Sequence, residues 1–280
     1  MGSEMCIRDS YPVVMLRFVD RVDELGKLME YAEGGFYPVL YLYGPEGCGK
    51  TRLLRELLSR VERRSDFVAV YVDAQNVSSI EDAIYAPPEL VRLLIELLRE
   101  SHDVIGRAVA KLLPYALRRA LGRRIVGKHV VVVVDDVAKP LGMDVVESYT
   151  KKLLDLVEWL NTQGASSVLA VATTSEGSSL DAVWRHSYVS LRLLWNLPRS
   201  ALLELLDQLK PPTRGIADDI WRYTGGNPRV LIEIATSYRW DIELWRSTIM
   251  NRVEAVFRKV RMRNLVGELE HAVDDPDYLY

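Results

Sequence analysis

Cysteine is nearly missing from this 280-residue chain: Cys6 and Cys48 are the only two. One lies in a polar leader and one inside a glycine-rich loop, so they form neither a disulfide framework nor a metal set. Histidine occurs at four scattered positions, none at zinc spacing. No apolar run approaches the ~20 residues that cross a bilayer. The longest surrounds Val130–Val134 and ends in acids. The start, Met1 to Ser10, carries Glu4, Arg8 and Asp9 and has no apolar signal core. It fits poorly with the regularly patterned chain beyond it, so residues 1–14 are expected to be a non-native leader or start-site remnant. Neither charge dominates: 36 Lys and Arg against 39 Asp and Glu leave a net charge of −3. The chain as a whole is therefore drawn neither to nucleic acid nor to an anionic membrane. The cytoplasm is the expected compartment. Hydrophobic residues make up 49%, enough for a packed core, and the length suggests roughly one to two domains.

What is present is more specific. Gly44-Pro45-Glu46-Gly47-Cys48-Gly49-Lys50-Thr51 fills every fixed position of G-x-x-x-x-G-K-[ST], the phosphate-binding loop of nucleoside-triphosphate proteins. Val39-Leu40-Tyr41-Leu42-Tyr43 precedes it as a strand. Leu53, Leu54, Leu57, Leu58 and Val61 come after it at helical spacing. Glycines let consecutive N–H groups face one anion, and the helix start adds its positive dipole end. In this pattern Lys50 reaches the β- and γ-phosphates and the Thr51 hydroxyl ligates Mg²⁺, with Arg52 next to them.

Other elements alternate around this unit. Phe18 to Leu25 opens a first helix with Leu25, Leu28, Met29 and Ala32 on one face, ending at Gly34-Gly35. Strands are predicted at Phe67–Asp73, His129–Val134, Ser167–Thr173 and Ser187–Leu194. Between them lie a helical stretch from Ser79 to Leu121, broken at Pro87-Pro88 and near Pro114, and a long helix ending at Gly164. The order implies an α/β fold, a mostly parallel sheet with helices on both faces. From Pro198 onward the pattern is helical. The expected division is a core over 15–196, a helical lid over 197–264 and a tail over 265–280.

The strand Val130–Val134 runs into Asp135-Asp136. Acids at the C-terminal end of a parallel strand sit at the ligand edge of the sheet. Asp135 is the candidate to hold Mg²⁺, directly or through its water. Asp136 is the candidate to orient the attacking water. Because it is shorter than glutamate, Asp136 implies a water relay or slow hydrolysis. The other reading of these acids is a solvated turn capping the next element.

With these residues in view, the chain resembles the archaeal ATPase family within the signal-transducing, AAA+-related P-loop NTPases, from about Phe18 to at least Arg229. Four features carry the resemblance: the opening box Phe18 to Leu25, the phosphate loop, the Asp135-Asp136 strand end, and Tyr223-Thr224-Gly225-Gly226-Asn227-Pro228-Arg229. The resemblance implies ATP with Mg²⁺ as cofactors. It implies that Phe18, Val19 and Arg21 help cover the adenine, with Pro228 near the base. By plain local rules, Gly225-Gly226 ends one helix, Asn227 caps the next and Pro228 suits its first turn. In Ala172-Thr173-Thr174-Ser175-Glu176, the resemblance places a polar sensor of the γ-phosphate at Thr174, with Thr173 next; a turn of small polar residues is the alternative. Arg185 resembles an arginine that acts on the γ-phosphate of its own or a neighbouring chain, and a surface salt bridge is equally open. Relatives commonly carry a winged-helix domain after the lid. Here the sequence stops at Tyr280, so either it is truncated or this member lacks that domain. Relatives also often have glutamate where Asp136 stands.

Two basic stretches remain, Arg118 to Lys128 and Arg252 to Arg263. They read first as solvated faces, since no aromatic ladder accompanies them. DNA stays open as a partner without support from net charge. Trp184, Trp195, Trp221, Trp240 and Trp245 read as packing or as an interface. The expectation is a slow Mg²⁺-dependent ATPase switch that binds ATP and ADP and is read by an unknown protein partner, with no membrane role and oligomerisation open. The alternatives are an initiator- or loader-like ATPase on nucleic acid, and a nucleotide-binding scaffold with little turnover.

Overall fold

A computed structural model of the chain describes residues 16–75, 79–98, 105–137, 143–174 and 188–267. The first helix, α1 (Val22–Gly34), starts four residues later than the sequence pattern suggests. Asp20 and Arg21 take left-handed backbone angles, φ 55° and 66°, and so hold the chain out of the helix until Val22. β1 (Val39–Tyr43) then leads through the glycine loop into α2 (Lys50–Glu62). β2 (Phe67–Asp73) comes next.

The region expected to be one interrupted helix from Ser79 is different in two ways. It begins with a single turn, α3 (Ile80–Ala83), and a two-residue strand, β3 (Ile84–Tyr85), before α4 (Pro88–Leu98). The prolines at 87 and 88 do interrupt it, and Pro88 takes a first-turn position where no N–H is needed. Pro114, by contrast, lies inside a continuous α5 (Ile105–Leu121). Val109, Leu113, Ala116 and Leu117 are fully buried around it, and that burial offsets one missing backbone bond.

β4 (His129–Asp135), α6 (Met143–Thr162), β5 (Ser167–Thr174) and β6 (Val189–Leu193) complete the sheet region. The six strands run in the order β3-β2-β4-β5-β1-β6. All pairs are parallel except β2 with the short edge strand β3. β5 lies between β1 and β4, so the end of β5 separates the phosphate loop from the acidic strand end. Strand alternation splits the core. Val130, Val132 and Val134 face α4, α5 and α6. Val131 and Val133 face α1 and α2 with Leu40, Leu42 and Tyr71.

The last helices are α7 (Arg199–Gln208), α8 (Ala217–Thr224), α9 (Pro228–Thr236) and α10 (Ile242–Met262). Their own apolar cluster is built on Leu202, Leu205, Leu206, Ile220, Leu231 and Trp245, and it takes in Leu16 and Val19 from the start of the described chain. Trp221 and Trp240 pack on that cluster, whereas Trp195 is 60% exposed; Trp184 lies outside the described residues. No described helix is long and apolar enough to cross a membrane.

Candidate functional site

The loop after β1 is held from three directions. Gly44 approaches the backbone of Leu194 so closely that a Cβ there would collide with its carbonyl oxygen. Gly47 has φ 82°, and a Cβ on it would lie 2.6 Å from Arg229 Cβ and 2.8 Å from Asn227 Oδ1. Only glycine satisfies both the left-handed angle and that approach. Lys50, at the start of α2, is buried and folds back over the loop. Its Nζ donates to the carbonyl oxygens of Gly44 at 2.8 Å and Pro45 at 3.2 Å. The Cys48 thiol, 1% exposed, is pushed up in pKa by burial, which makes it a packing group rather than a nucleophile.

Arg21 is a buried bridge behind the loop. Its Nη1 donates to Glu24 Oε1 at 2.7 Å, and its Nη2 donates to the carbonyl oxygens of Cys48, at 3.2 Å, and of Trp195. One planar fork thus joins α1, the phosphate loop and the segment leaving β6.

The lid-side motif meets the loop from the front. Gly225 ends α8 in a left-handed conformation. The Asn227 side chain caps α9, accepting from Arg229 N and Val230 N, and Pro228 forms the first turn. The same Asn227 donates through Nδ2 to the Glu46 carbonyl oxygen at 2.9 Å. Arg229 Nη1 pairs with Glu46 Oε1 at 2.7 Å.

Between these parts lies a cavity of about 430 Å³. Leu16, Phe18, Val19, Leu197, Pro228 and Ile232 make its apolar end. Glu46, Gly47, Cys48, Gly49, Lys50, Thr51, Arg52 and Asp136 line the polar part, with Arg21 and Gln75. Most of the residues singled out from sequence therefore share one cavity. Gly44 and Pro45 are not in its lining and connect to it through Lys50. Asp135 lies beneath the lining, 3% exposed. Its Oδ2 accepts from the Tyr71 hydroxyl at 2.9 Å, and its Oδ1 accepts from the Thr173 hydroxyl. Thr173 in turn accepts from Asp136 N at 2.8 Å, holding Asp136 at φ 52°. Burial and the neighbouring carboxylate push the Tyr71 phenol up in pKa, so it remains a donor. Thr174 is buried beside Tyr43 in the β1–β5 register, while Thr173 is the residue bonded to the acid pair. Arg185 lies outside the described residues.

Sequence reasoning passed over Tyr71, Gln75 and the bonds of Asn227 and Arg229 to Glu46. Tyr71 is placed by strand register, which no local sequence pattern announces. It pairs with Val133 in the parallel register, and Val133 and Asp135 share a strand face by the two-residue period.

Among the described residues no group of three or more His, Cys, Asp or Glu forms a metal cage. A divalent cation here would therefore draw most of its oxygens from phosphate and water. Thr51 and the acid pair offer oxygen donors only, which fits Mg²⁺.

A mostly parallel sheet, a glycine loop opening a helix and an acidic end on β4, one strand removed from β1, define a P-loop nucleoside-triphosphate-binding protein. The family model described as an ATPase domain predominantly from Archaea matches residues 18–234, and the chain belongs to that family. It is similar to the uncharacterized ATP-binding protein MJ1010 of Methanocaldococcus jannaschii, 25% identical over 97 residues, 32% of this chain and 26% of that protein. Among solved structures it is similar to Cdc6p from Pyrobaculum aerophilum, with 18% identity and a TM-score of 0.43 over 71% of this chain and 51% of that one. A DNA replication initiation factor gives 17% identity and a TM-score of 0.47 over 87% of this chain and 67% of that one. The ORC1 protein of Aeropyrum pernix, solved with DNA, gives 20% and 0.42 over 68% and 49%. The chain thus spans about a quarter of the curated relative and about half of the Cdc6p and ORC1 chains.

Proposed function

We propose that this chain is a Mg²⁺-dependent ATP-binding and ATP-hydrolysing switch, with residues 197–264 acting as a lid over the nucleotide. The observation that carries the reading is one cavity that joins an apolar end to a phosphate loop, with a docked helix start closing its front. The base would lie among Phe18, Val19 and Pro228. The phosphates would lie over the amides of residues 47–51, where Lys50 exchanges loop carbonyls for phosphate oxygens. The cation supplies charge neutralisation of the β- and γ-phosphates when bound. Thr51 and Asp135 would hold it, and Asp136 would orient the attacking water. Asn227 and Arg229 bond Glu46 in the loop itself, so a change in phosphate occupancy would reach the lid and a protein partner reading it. The test is ATP binding and phosphate release with Mg²⁺, in the wild type and in Asp136→Asn. Retained binding with lost turnover in the variant supports the switch. Equal, near-zero release from both, with tight binding, replaces it with a non-hydrolysing scaffold.

A nucleic-acid-associated ATPase is the second reading. Arg252, Arg258, Lys259, Arg261 and Arg263 are all exposed on or just after α10, with Arg258 paired to Glu254 one turn back; Arg118, Arg124 and Lys128 also have partners within the chain. DNA binding that weakens steeply with salt would favour it.

A further inference from the structure

We propose that Tyr71, together with Thr173, is a positioning residue that sets the divalent-cation affinity of this site by holding the Asp135 carboxylate. The inference rests on the nucleotide-binding reading above.

Asp135 is almost fully buried at the end of a strand whose preceding five residues are valines. A carboxylate in such surroundings is stable only when its oxygens are hydrogen-bonded. Both are, each by a hydroxyl from a different neighbouring strand: Tyr71 on β2 and Thr173 on β5. Each oxygen still has lone pairs for a cation or its water, and the two hydroxyls fix the direction in which they point.

The surroundings of Tyr71 make its hydroxyl the informative group. The ring is buried in the cluster formed with Leu40, Val131 and Val133, and the Arg55 guanidinium of α2 lies 5.7 Å from its centroid. Phenylalanine would fill that space equally well. The hydroxyl therefore serves the carboxylate, not the packing. The frame around it is equally fixed. Ala74 N donates to the Asp135 carbonyl and Val137 N to the Thr173 carbonyl, both at 3.1 Å. Three strand ends are thereby riveted at the level of the acid. Groups that orient a metal-holding residue in this way typically change metal affinity by about 10–100-fold when removed.

The experiment titrates Mg²⁺ against binding of a fluorescent ATP analogue, and measures binding of the same analogue in excess chelator. Wild type, Tyr71→Phe, Thr173→Ser and Thr173→Val are compared, with thermal melts as the folding control. Tyr71→Phe is expected to raise the half-saturating Mg²⁺ about tenfold while leaving metal-free affinity unchanged. Thr173→Val is expected to shift the Mg²⁺ curve in the same direction, and Thr173→Ser, which keeps a hydroxyl, to restore it. A folded Tyr71→Phe with the wild-type Mg²⁺ curve overturns the proposal. So does an equal loss with and without metal, which is the mark of a purely structural role. Should Tyr71→Phe not fold, the contrast between serine and valine at 173 decides the matter in the same way. Absence of any nucleotide binding by the wild type would instead sink the underlying reading and this proposal together.

Discussion

Arg229 Nη1 lies 2.7 Å from Glu46 Oε1, and the adjacent Asn227 side chain donates to the Glu46 backbone carbonyl. The start of α9 therefore grips the phosphate loop twice. The two grips differ in worth. The ion pair is more than half exposed on both sides, so Glu46→Gln is expected to change stability by less than about 1 kcal/mol. Asn227 also caps the helix, so Asn227→Ala should cost about 1–2 kcal/mol. Denaturant unfolding of the two variants checks the order. A larger loss from Glu46→Gln would reverse the assignment.

Gly47 is the point where that grip is tightest. In Gly47→Ala the new methyl meets Arg229 and Asn227 at contact distances below 3 Å, on a backbone angle that alanine disfavours at a cost of roughly 1–2 kcal/mol. The docked helix start must then back away from the loop. The expected outcome is weaker nucleotide binding together with faster proteolysis between α8 and α9. Wild-type nucleotide affinity in the variant would mean that docking and phosphate binding are independent.

Lys50→Ala removes the only ammonium folded over the loop among the described residues. Without nucleotide the loss is small, about 1 kcal/mol, because the Gly44 and Pro45 carbonyls forfeit one shared donor. With nucleotide the lost charge pairing should reduce affinity by on the order of a hundredfold. Titration calorimetry with ATP measures this, and full retained affinity would exclude the loop as the phosphate site.

Much of this arrangement was legible in the sequence because its signals are local. The loop pattern, the strand before it and the leucine stripe after it lie within Val39–Val61, and the solid valine run before Asp135 could only be a covered strand. The Asn227 cap and the Pro228 first turn are also short-range. What could not be read was tertiary. Arg21 reaches Cys48 and Trp195, far away in sequence, and no local pattern announces that its fork is buried. Tyr71 reads as one more strand aromatic until the register brings it beside Asp135. Thr174 and Thr173 differ only in which face of β5 they occupy, and a one-residue step along a strand exchanges the faces. Pro114 was misleading because proline signals a break, whereas buried neighbours on three turns of α5 hold the helix together around it.

Arg21 supplies a prediction that separates charge from shape. Its three bonds need a planar fork with separate nitrogens, and a lysine ammonium at that reach cannot satisfy two carbonyls and Glu24 together. Arg21→Lys should therefore destabilise the fold by roughly 1–3 kcal/mol despite the unchanged charge, through carbonyl groups left unpaired in a buried place. Thermal melts check this, and a melting point equal to the wild type would refute the bridging role.

The buried phenols are expected to make stability fall at high pH. Burial pushes Tyr41 from 10.0 up to about 12, and Tyr71 and Tyr149 move in the same direction. The Thr150 hydroxyl donates to the Val146 carbonyl at 2.7 Å, so in the 2.6 Å contact between Tyr41 and Thr150 the phenol must be the donor. Losing its proton would cost that bond as well as bury a charge. Between pH 10 and about 12 the unfolded chain releases the Tyr41 proton and the folded chain keeps it. The unfolded state then binds fewer protons, so stability is fully present below pH 10 and falls as pH rises. A shift of this size corresponds to about 2–3 kcal/mol lost across the window for Tyr41 alone. In Tyr41→Phe the hydroxyl of Thr150 keeps its Val146 partner, so stability at pH 8 should change little while the alkaline decline becomes shallower. Denaturant unfolding at intervals from about pH 8 to about pH 12 measures both slopes. Parallel slopes would mean that the phenol is reached by solvent before the fold opens, and that burial does not set its proton affinity.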